Sequence, residues 1–188
     1  RKNTGDNTPA VVHTEIVPGN TIELTVAAKG GGSENKAKLA MLNPSDDLTE
    51  WVTETLPTLG AGWCPPGILG IGIGGTPEKA MLMAKESLMA PVDMAAIVER
   101  GPKTPTETLR LKIYEAVNQL GIGAQGLGGL TTVLDVKINT YATHAASLPV
   151  AMIPNCAATR HIHFTLDGSG PAELPQVDAS SWPEITQQ

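Results

Sequence analysis

Gly67-Ile68-Leu69-Gly70-Ile71-Gly72-Ile73-Gly74-Gly75-Thr76-Pro77 is the stretch from which the fold can be read. Ile68 to Ile73 is uncharged and apolar, with the length of a strand buried on both faces. The run ends at Gly74-Gly75, and Thr76 followed by Pro77 opens a helix expected to reach about Leu88. Thr is a favourable N-cap, and Pro suits the first helical position, where its missing N–H is not needed. A strand entering a helix through glycines also suggests a dinucleotide loop, but the spacing argues against one. The third residue after Gly74 is Pro77 rather than glycine, and no acidic residue closes a strand about 20 positions later. The glycines are therefore expected to let strand and helix pack closely.

Working outward, Thr104-Pro105 leads a second long helix, Thr106 to Leu120, followed by a glycine stretch from Gly121 to Gly129. Three strand-like runs come next: Leu130–Thr140, Pro149–Ile153 and Arg160–Asp167. Upstream, Trp63-Cys64-Pro65-Pro66 is a rigid turn. Leu48, Trp51, Val52, Leu56 and Leu59 fall at helical spacing, which predicts a helix to about Leu59 with Ser45 as its cap. A short helix is expected from Asn35 to Leu42. Val11–Val17 and Thr21–Ala28 flank Pro18-Gly19-Asn20 and read as a β-hairpin. Residues 1–170 are expected to form the functional domain, and the Pro- and Ser-containing residues 171–188 a polar tail or linker. Strand, loop and helix mix without strict βαβ alternation and without internal repeat. The expected class is α+β (mixed α/β), a layered domain with a β-hairpin, a mixed sheet, packed helices and glycine-rich loops at its site.

Composition narrows the functional classes. Hydrophobic residues at 41% against 17% charged residues describe a globular chain of 188 residues, long enough for one sizeable core. Aromatics are only 3%, so the core must be aliphatic. A net charge of −6 with no Lys/Arg cluster argues against nucleic acid as a partner. It leaves room for an anionic small molecule, which a few cations or backbone N–H groups can hold. No apolar run is long enough to span a membrane, and no signal peptide is visible. The chain starts at Arg1 without Met and is expected to be an internal segment of a longer polypeptide.

Several residues could carry chemistry. Lys29-Gly30-Gly31-Gly32-Ser33 joins a strand to a helix, where successive backbone N–H groups can bind an anion; a flexible turn is the alternative. It lacks the Gly-Lys-Ser/Thr ending of a phosphate-binding Walker loop. Cys64 and Cys156 lie near prolines and small residues, a setting that suits cluster ligands but equally two reduced, buried thiols. Two cysteines cannot hold a cubane cluster, so another ligand would have to come from elsewhere. His144 lies in a loop after a strand. His161 and His163 alternate on one strand face beside Arg160, but a zinc site there lacks a third ligand. His13 falls within the expected hairpin.

These segments together resemble the α region of class I, iron–sulfur-dependent fumarate hydratases and of the related fumarate/tartrate dehydratase α subunits. The strings that carry the resemblance are Asn3-Thr4-Gly5-Asp6-Asn7-Thr8-Pro9, Lys29-Gly30-Gly31-Gly32-Ser33-Glu34-Asn35 and Cys64-Pro65-Pro66. Gly72-Ile73-Gly74-Gly75-Thr76, Gly121-Ile122-Gly123-Ala124-Gln125-Gly126, His144-Ala145-Ala146-Ser147-Leu148-Pro149-Val150 and Asn155-Cys156-Ala157-Ala158-Thr159-Arg160 follow in family order. The resemblance implies a [4Fe–4S] cluster on three thiolates, two of them Cys64 and Cys156, with the first ligand expected upstream of Arg1. It implies dicarboxylate binding by Gly31, Gly32, Ser33, Asn35, Lys36 and Gln125, and a hydrogen-bonding, proton-donating role for His144. It further implies a cytoplasmic homo-oligomeric enzyme, of tricarboxylic acid cycle type, completed by a β domain or β subunit.

Reversible hydration of fumarate to (S)-malate is the expected reaction, because the chain keeps the Lys-Gly-Gly-Gly-Ser and Gly-Ala-Gln strings. L-tartrate dehydration and mesaconate hydration are alternatives. A third is a segment that is catalytically silent by itself, having two of three ligands.

Overall fold

The computed structural model describes residues 2–6, 8–158 and 160–170. The elements follow in the order β1 (Ile22–Ala27), α1 (Gly31–Glu34), β2 (Lys38–Leu42), α2 (Leu48–Thr58), β3 (Gly67–Gly74) and α3 (Pro77–Ser87). Then come α4 (Met94–Arg100), α5 (Pro105–Gln119), a 3-10 turn at Ala124–Gly126, β4 (Val133–Tyr141), β5 (Leu148–Cys156) and β6 (His161–Leu166). Contacts divide the chain into two units, Arg1–Leu24 with His163–Gln188, and Thr25–Ile162. No described helix is long and apolar enough to cross a membrane. The α+β expectation holds: helices pack on a mixed four-stranded sheet ordered β2-β5-β3-β4.

The opening stretch is the centre of that sheet. β3 pairs parallel with β4 and antiparallel with β5, and β5 pairs antiparallel with the edge strand β2. Alternation along β3 sorts its side chains between two cores. Leu69 and Ile71 join Val52, Leu56, Ile113, Val117, Val136 and Met152 under α2 and α5, whereas Ile68 joins Ala80, Ala84, Leu88 and Ile153 under α3. Each fully buried Val, Leu, Ile or Met side chain contributes about 1.5–3 kcal/mol relative to exposure. Gly70 and Gly72 bring α3 onto the sheet. A Cβ on Gly72 would stand 2.0 Å from the Ala80 carbonyl oxygen, and one on Gly70 2.2 Å from that of Ala84. Close strand–helix packing is thus what the glycine pattern does.

One charged cluster is buried beside this core. Asp135 is fully buried and accepts from the backbone N–H groups of Asp93 (2.8 Å) and Met94 (3.1 Å), at the start of α4. It also pairs with Arg110 at 3.0 Å and Lys137 at 3.0 Å, and both cations reach Asp93 as well. Hydrogen bonding from Arg110, helped by Lys137, holds the Asp93 carboxyl well below the ordinary carboxylate range.

Several local expectations are corrected. Val11–Val17 carries no strand, with Val12 83% and Ile16 95% exposed. β1 pairs instead with the distant β6, so the expected hairpin does not form. The segment expected as a helix from Asn35 holds strand β2 at Lys38–Leu42, because it supplies the sheet edge to β5; an apolar run this short does not distinguish the two periods. The cap of α2 is Asp47 rather than Ser45, its carboxylate accepting from Thr49 N–H at 2.7 Å and Glu50 N–H at 3.3 Å. Helix α4 lay unread between Pro91 and Gly101. Cys156 closes strand β5, which runs past the expected end at Ile153. β2 stops opposite Met152, so β5 is locally an edge beyond it, and Pro154 interrupts no ladder on that side. Asn7, Thr159 and the expected tail at 171–188 lie outside the described residues.

Candidate functional site

The two cysteines lie at the same end of the sheet. Cys156 is the Cα partner of Gly67 across the β3–β5 ladder, and Cys64 precedes Gly67 by three residues. Ladder spacing and chain reach together bound their Cα separation at roughly 16 Å. Both are free thiols, Cys64 exposed and Cys156 half-buried.

Two loops converge on the Cys64 turn. A Cβ on Gly32 would stand 2.7 Å from the Gly62 carbonyl oxygen, so the triple-glycine segment packs directly on this turn. A Cβ on Gly62 would in turn meet the Lys36 side chain at 2.8 Å, which lays Lys36 over the backbone two residues before Cys64. From the other side, Gln125 N–H donates to the Pro65 carbonyl at 2.7 Å, and Gly126 faces Ala61. Among the described residues, Cys64 (φ 59°) and Gln125 (φ 54°) are the non-glycine residues with positive φ. Strained backbone concentrates where the surrounding structure holds a side chain in a working position. Here both strained residues belong to two touching loops, and both were singled out from the sequence.

The triple glycine leads into a helical turn. Its residues Gly31–Glu34 form the short helix α1, whose start has no side-chain cap; Gly31 and Gly32 are exposed and their N–H groups remain available. Ser33 is buried, its hydroxyl accepting from Lys29 Nζ at 2.9 Å and donating to the Gly30 carbonyl at 3.0 Å. That hydroxyl is therefore committed inside the turn. Asn35 is exposed beside it.

Lys29 was not among the residues selected from the sequence. Only 10% of its side chain is exposed, and it pairs with Glu34 at 3.2 Å. Burial pulls its ammonium below the usual lysine value, opposed by the charge of Glu34 and, more weakly, by the Cys156 sulfur. Burial also works against the Glu34 carboxylate, but Lys85 and Lys29 hold its pKa below the ordinary value. The only sequence signal was a lysine directly before the triple glycine.

His144 is not brought to the cysteines. Tyr141, three residues before it, is the partner of Gly74 at the far end of β3, about 23 Å of extended strand from Gly67. There the histidine lines a cavity of about 530 Å³ with Thr76, Lys79, Tyr141 and Ser147. Its Nδ1 accepts from Ala146 N–H at 3.1 Å, which leaves the proton of the neutral ring on Nε2. His161 and His163 are exposed on β6 and, like every other His, Cys, Asp and Glu among the described residues, belong to no group of three able to hold a metal ion.

The donor set fits part of an iron–sulfur site. Two soft thiols share one sheet end, and the glycine turn, exposed at Gly31 and Gly32, packs on the turn that leads to Cys64. Any further ligand must come from outside the described residues.

The chain is 39% identical over 164 residues to a protein of Methanocaldococcus jannaschii named "Putative L(+)-tartrate dehydratase subunit alpha", covering 85% of this chain and 56% of that one. It is 32% identical over 162 residues to the L(+)-tartrate dehydratase subunit alpha of Escherichia coli strain K12, covering 85% and 52% respectively. The chain thus spans about half the length of the curated relatives it matches. Residues 1–165 match the family described as fumarate hydratase (Fumerase), which takes in both units of the fold up to β6, and the chain belongs to that family.

Proposed function

We propose that this chain is the α portion of an iron–sulfur hydro-lyase, adding water to or removing it from a four-carbon dicarboxylate, with Cys64 and Cys156 as two ligands of a [4Fe–4S] cluster. The observation that carries this is the placement of Cys64 and Cys156 at one end of the sheet, with the glycine turn packed on the turn that leads to Cys64. A bound cluster supplies Lewis acidity toward the substrate hydroxyl.

The chain's own residues bind and orient. The exposed N–H groups of Gly31 and Gly32 are available to a substrate carboxylate, and Lys36, laid over Gly62, adds positive charge close to Cys64. Asn35 and Gln125 offer amides at the edges of the same site. Ser33 locks the turn from within. A β domain or subunit completes the pocket, as the α-subunit names of the relatives suggest.

Fumarate hydration is the leading reaction, supported by the family description and the retained glycine strings. L(+)-tartrate dehydration is the second, supported by the names of both relatives. Anaerobic reconstitution of the full-length enzyme with its β partner, assayed on both substrates, decides between them. Faster turnover of fumarate than of L(+)-tartrate is expected. The reverse ranking reassigns the substrate, and turnover of neither sinks the hydro-lyase proposal.

His144 remains the proposed proton donor, and because its own cysteines lie at the opposite sheet end we propose that it serves the site of a second copy of the chain. His144→Ala and Cys156→Ser chains, each inactive alone, are expected to recover about a quarter of wild-type turnover when mixed and reassembled as dimers. That is one live site in half of the molecules. No recovery, with mixed dimers verified by mass, would remove the shared site.

A further inference from the structure

Lys79 is a cation of the His144 cavity that no described carboxylate neutralises. It stands in the first turn of α3, where the helix dipole disfavours positive charge. Among the described residues it forms no ion pair, and none of those lining the cavity is Asp or Glu. Its stem crosses the bare backbone of Gly75, where a Cβ would stand 2.9 Å from Lys79 Cγ, and its ammonium rests 5.4 Å from the centroid of the Tyr141 ring. The ring face attracts the charge but does not occupy the three N–H donors.

The same junction holds His144. Thr143 donates its hydroxyl to the Gly75 carbonyl at 3.0 Å, and Ser147 N–H closes the loop on the His144 carbonyl at 3.0 Å. The His144 ring keeps its proton on Nε2 because Nδ1 accepts from Ala146 N–H. An imidazole N–H and an ammonium therefore line one cavity of about 530 Å³, two donors suited to an anion.

We infer that Lys79 enters the site of the second copy together with His144 and binds one carboxylate of the dicarboxylate substrate. This rests on the shared-site reading given above. Charge balance supports it. The Gly31–Gly32 turn and Lys36 are assigned to one carboxylate, and the other end of the same molecule still needs a cation.

The test uses the anaerobically reconstituted full-length enzyme with its β partner, assayed on whichever of fumarate and L(+)-tartrate it turns over faster. Lys79→Met, which removes the charge but keeps most of the stem, is expected to raise KM roughly ten-fold or more while visible cluster absorbance stays at the wild-type level. Lys79→Arg is expected to recover most of that loss, and Lys112→Met, which removes an exposed charge elsewhere, to leave KM unchanged. If Lys79→Met fails to give native far-UV circular dichroism, Lys79→Gln decides on the same readouts. Mixed dimers then report which copy Lys79 serves. At limiting substrate, Lys79→Met chains reassembled with Cys156→Ser chains are expected to regain about a quarter of wild-type turnover. Reassembled with His144→Ala chains they are expected to stay low, because every site then lacks one of the two donors. A wild-type KM in the folded, uncharged variant would overturn the inference. So would failure of Lys79→Met to complement Cys156→Ser where His144→Ala does, which leaves the shared site standing. Failure of both to complement it would overturn the shared site and the delivery of Lys79 together.

Discussion

Cys156→Ser, and separately Cys64→Ser, is expected to abolish both cluster assembly and hydro-lyase turnover in the full-length, partnered enzyme, with activity falling to the uncatalysed background. A serine hydroxyl is a hard, poorly acidic ligand, so the exchange removes a soft sulfur donor while nearly preserving side-chain volume. Both positions tolerate the change structurally. Cys64 is exposed, and Cys156 is half-buried at a locally open strand edge. Melting temperature and far-UV circular dichroism should therefore stay near wild type while visible absorbance and iron content collapse. Undiminished iron content and turnover in either variant would refute the ligand assignment. The left-handed backbone at Cys64 (φ 59°) is already borne by the native side chain, so neither Ser nor Ala adds backbone strain there.

The second large effect concerns stability. Asp135→Ala is expected to destabilise the chain by roughly 3–5 kcal/mol, or about 10 °C in melting temperature. The residue has no exposed surface, and its carboxylate satisfies two backbone N–H groups of α4 together with Arg110 and Lys137. Truncation leaves two buried cations sharing Asp93, whose side chain is 45% exposed, and strips α4 of its anchor. By contrast, Lys112→Ala breaks an exposed pair with Asp47 and should move the midpoint far less. Urea titrations of the two variants make the comparison, and equal midpoints would contradict the buried-cluster account. The same cluster sets an acid dependence. Asp93 has a depressed folded-state pKa, so its contribution is fully present above the unpartnered value of 3.8 and is lost as pH falls below it. Asp93→Asn should flatten that part of the acid limb.

The central strand, its following helix and the Pro105-led helix were legible because each carried a local signal strong enough to outlast tertiary context: an uninterrupted apolar run, or a capping residue before proline. β2 and the end of β5 were not, because their conformation is decided by each other. Five residues from Lys38 to Leu42 have no period of their own, and Pro154 reads as a break until the missing neighbour on that side is known. The hairpin failed for a related reason, as β1 finds its partner more than a hundred residues away in β6. In the site, Cys64, Gly32 and Gln125 were found within motif strings and Lys36 just after one, yet only packing brings their loops together. His144 matched a motif just as well and lies at the opposite end of its own sheet from the cysteines. Lys29 needed coordinates, since burial and not residue type distinguishes it from other lysines.

The glycines of β3 also decide where this protein can diversify. Positions 70 and 72 abut helix backbone, and position 67 abuts both the Asn155 carbonyl and the Trp63 ring, so any added atom there meets something that cannot swing aside. A library randomised along that strand should return almost nothing but glycine at those three sites. One randomised over the exposed residues Asn35 and Gln125 should keep most members folded. New substrate preferences in this lineage would then arise from the rim, leaving the floor beneath it unaltered.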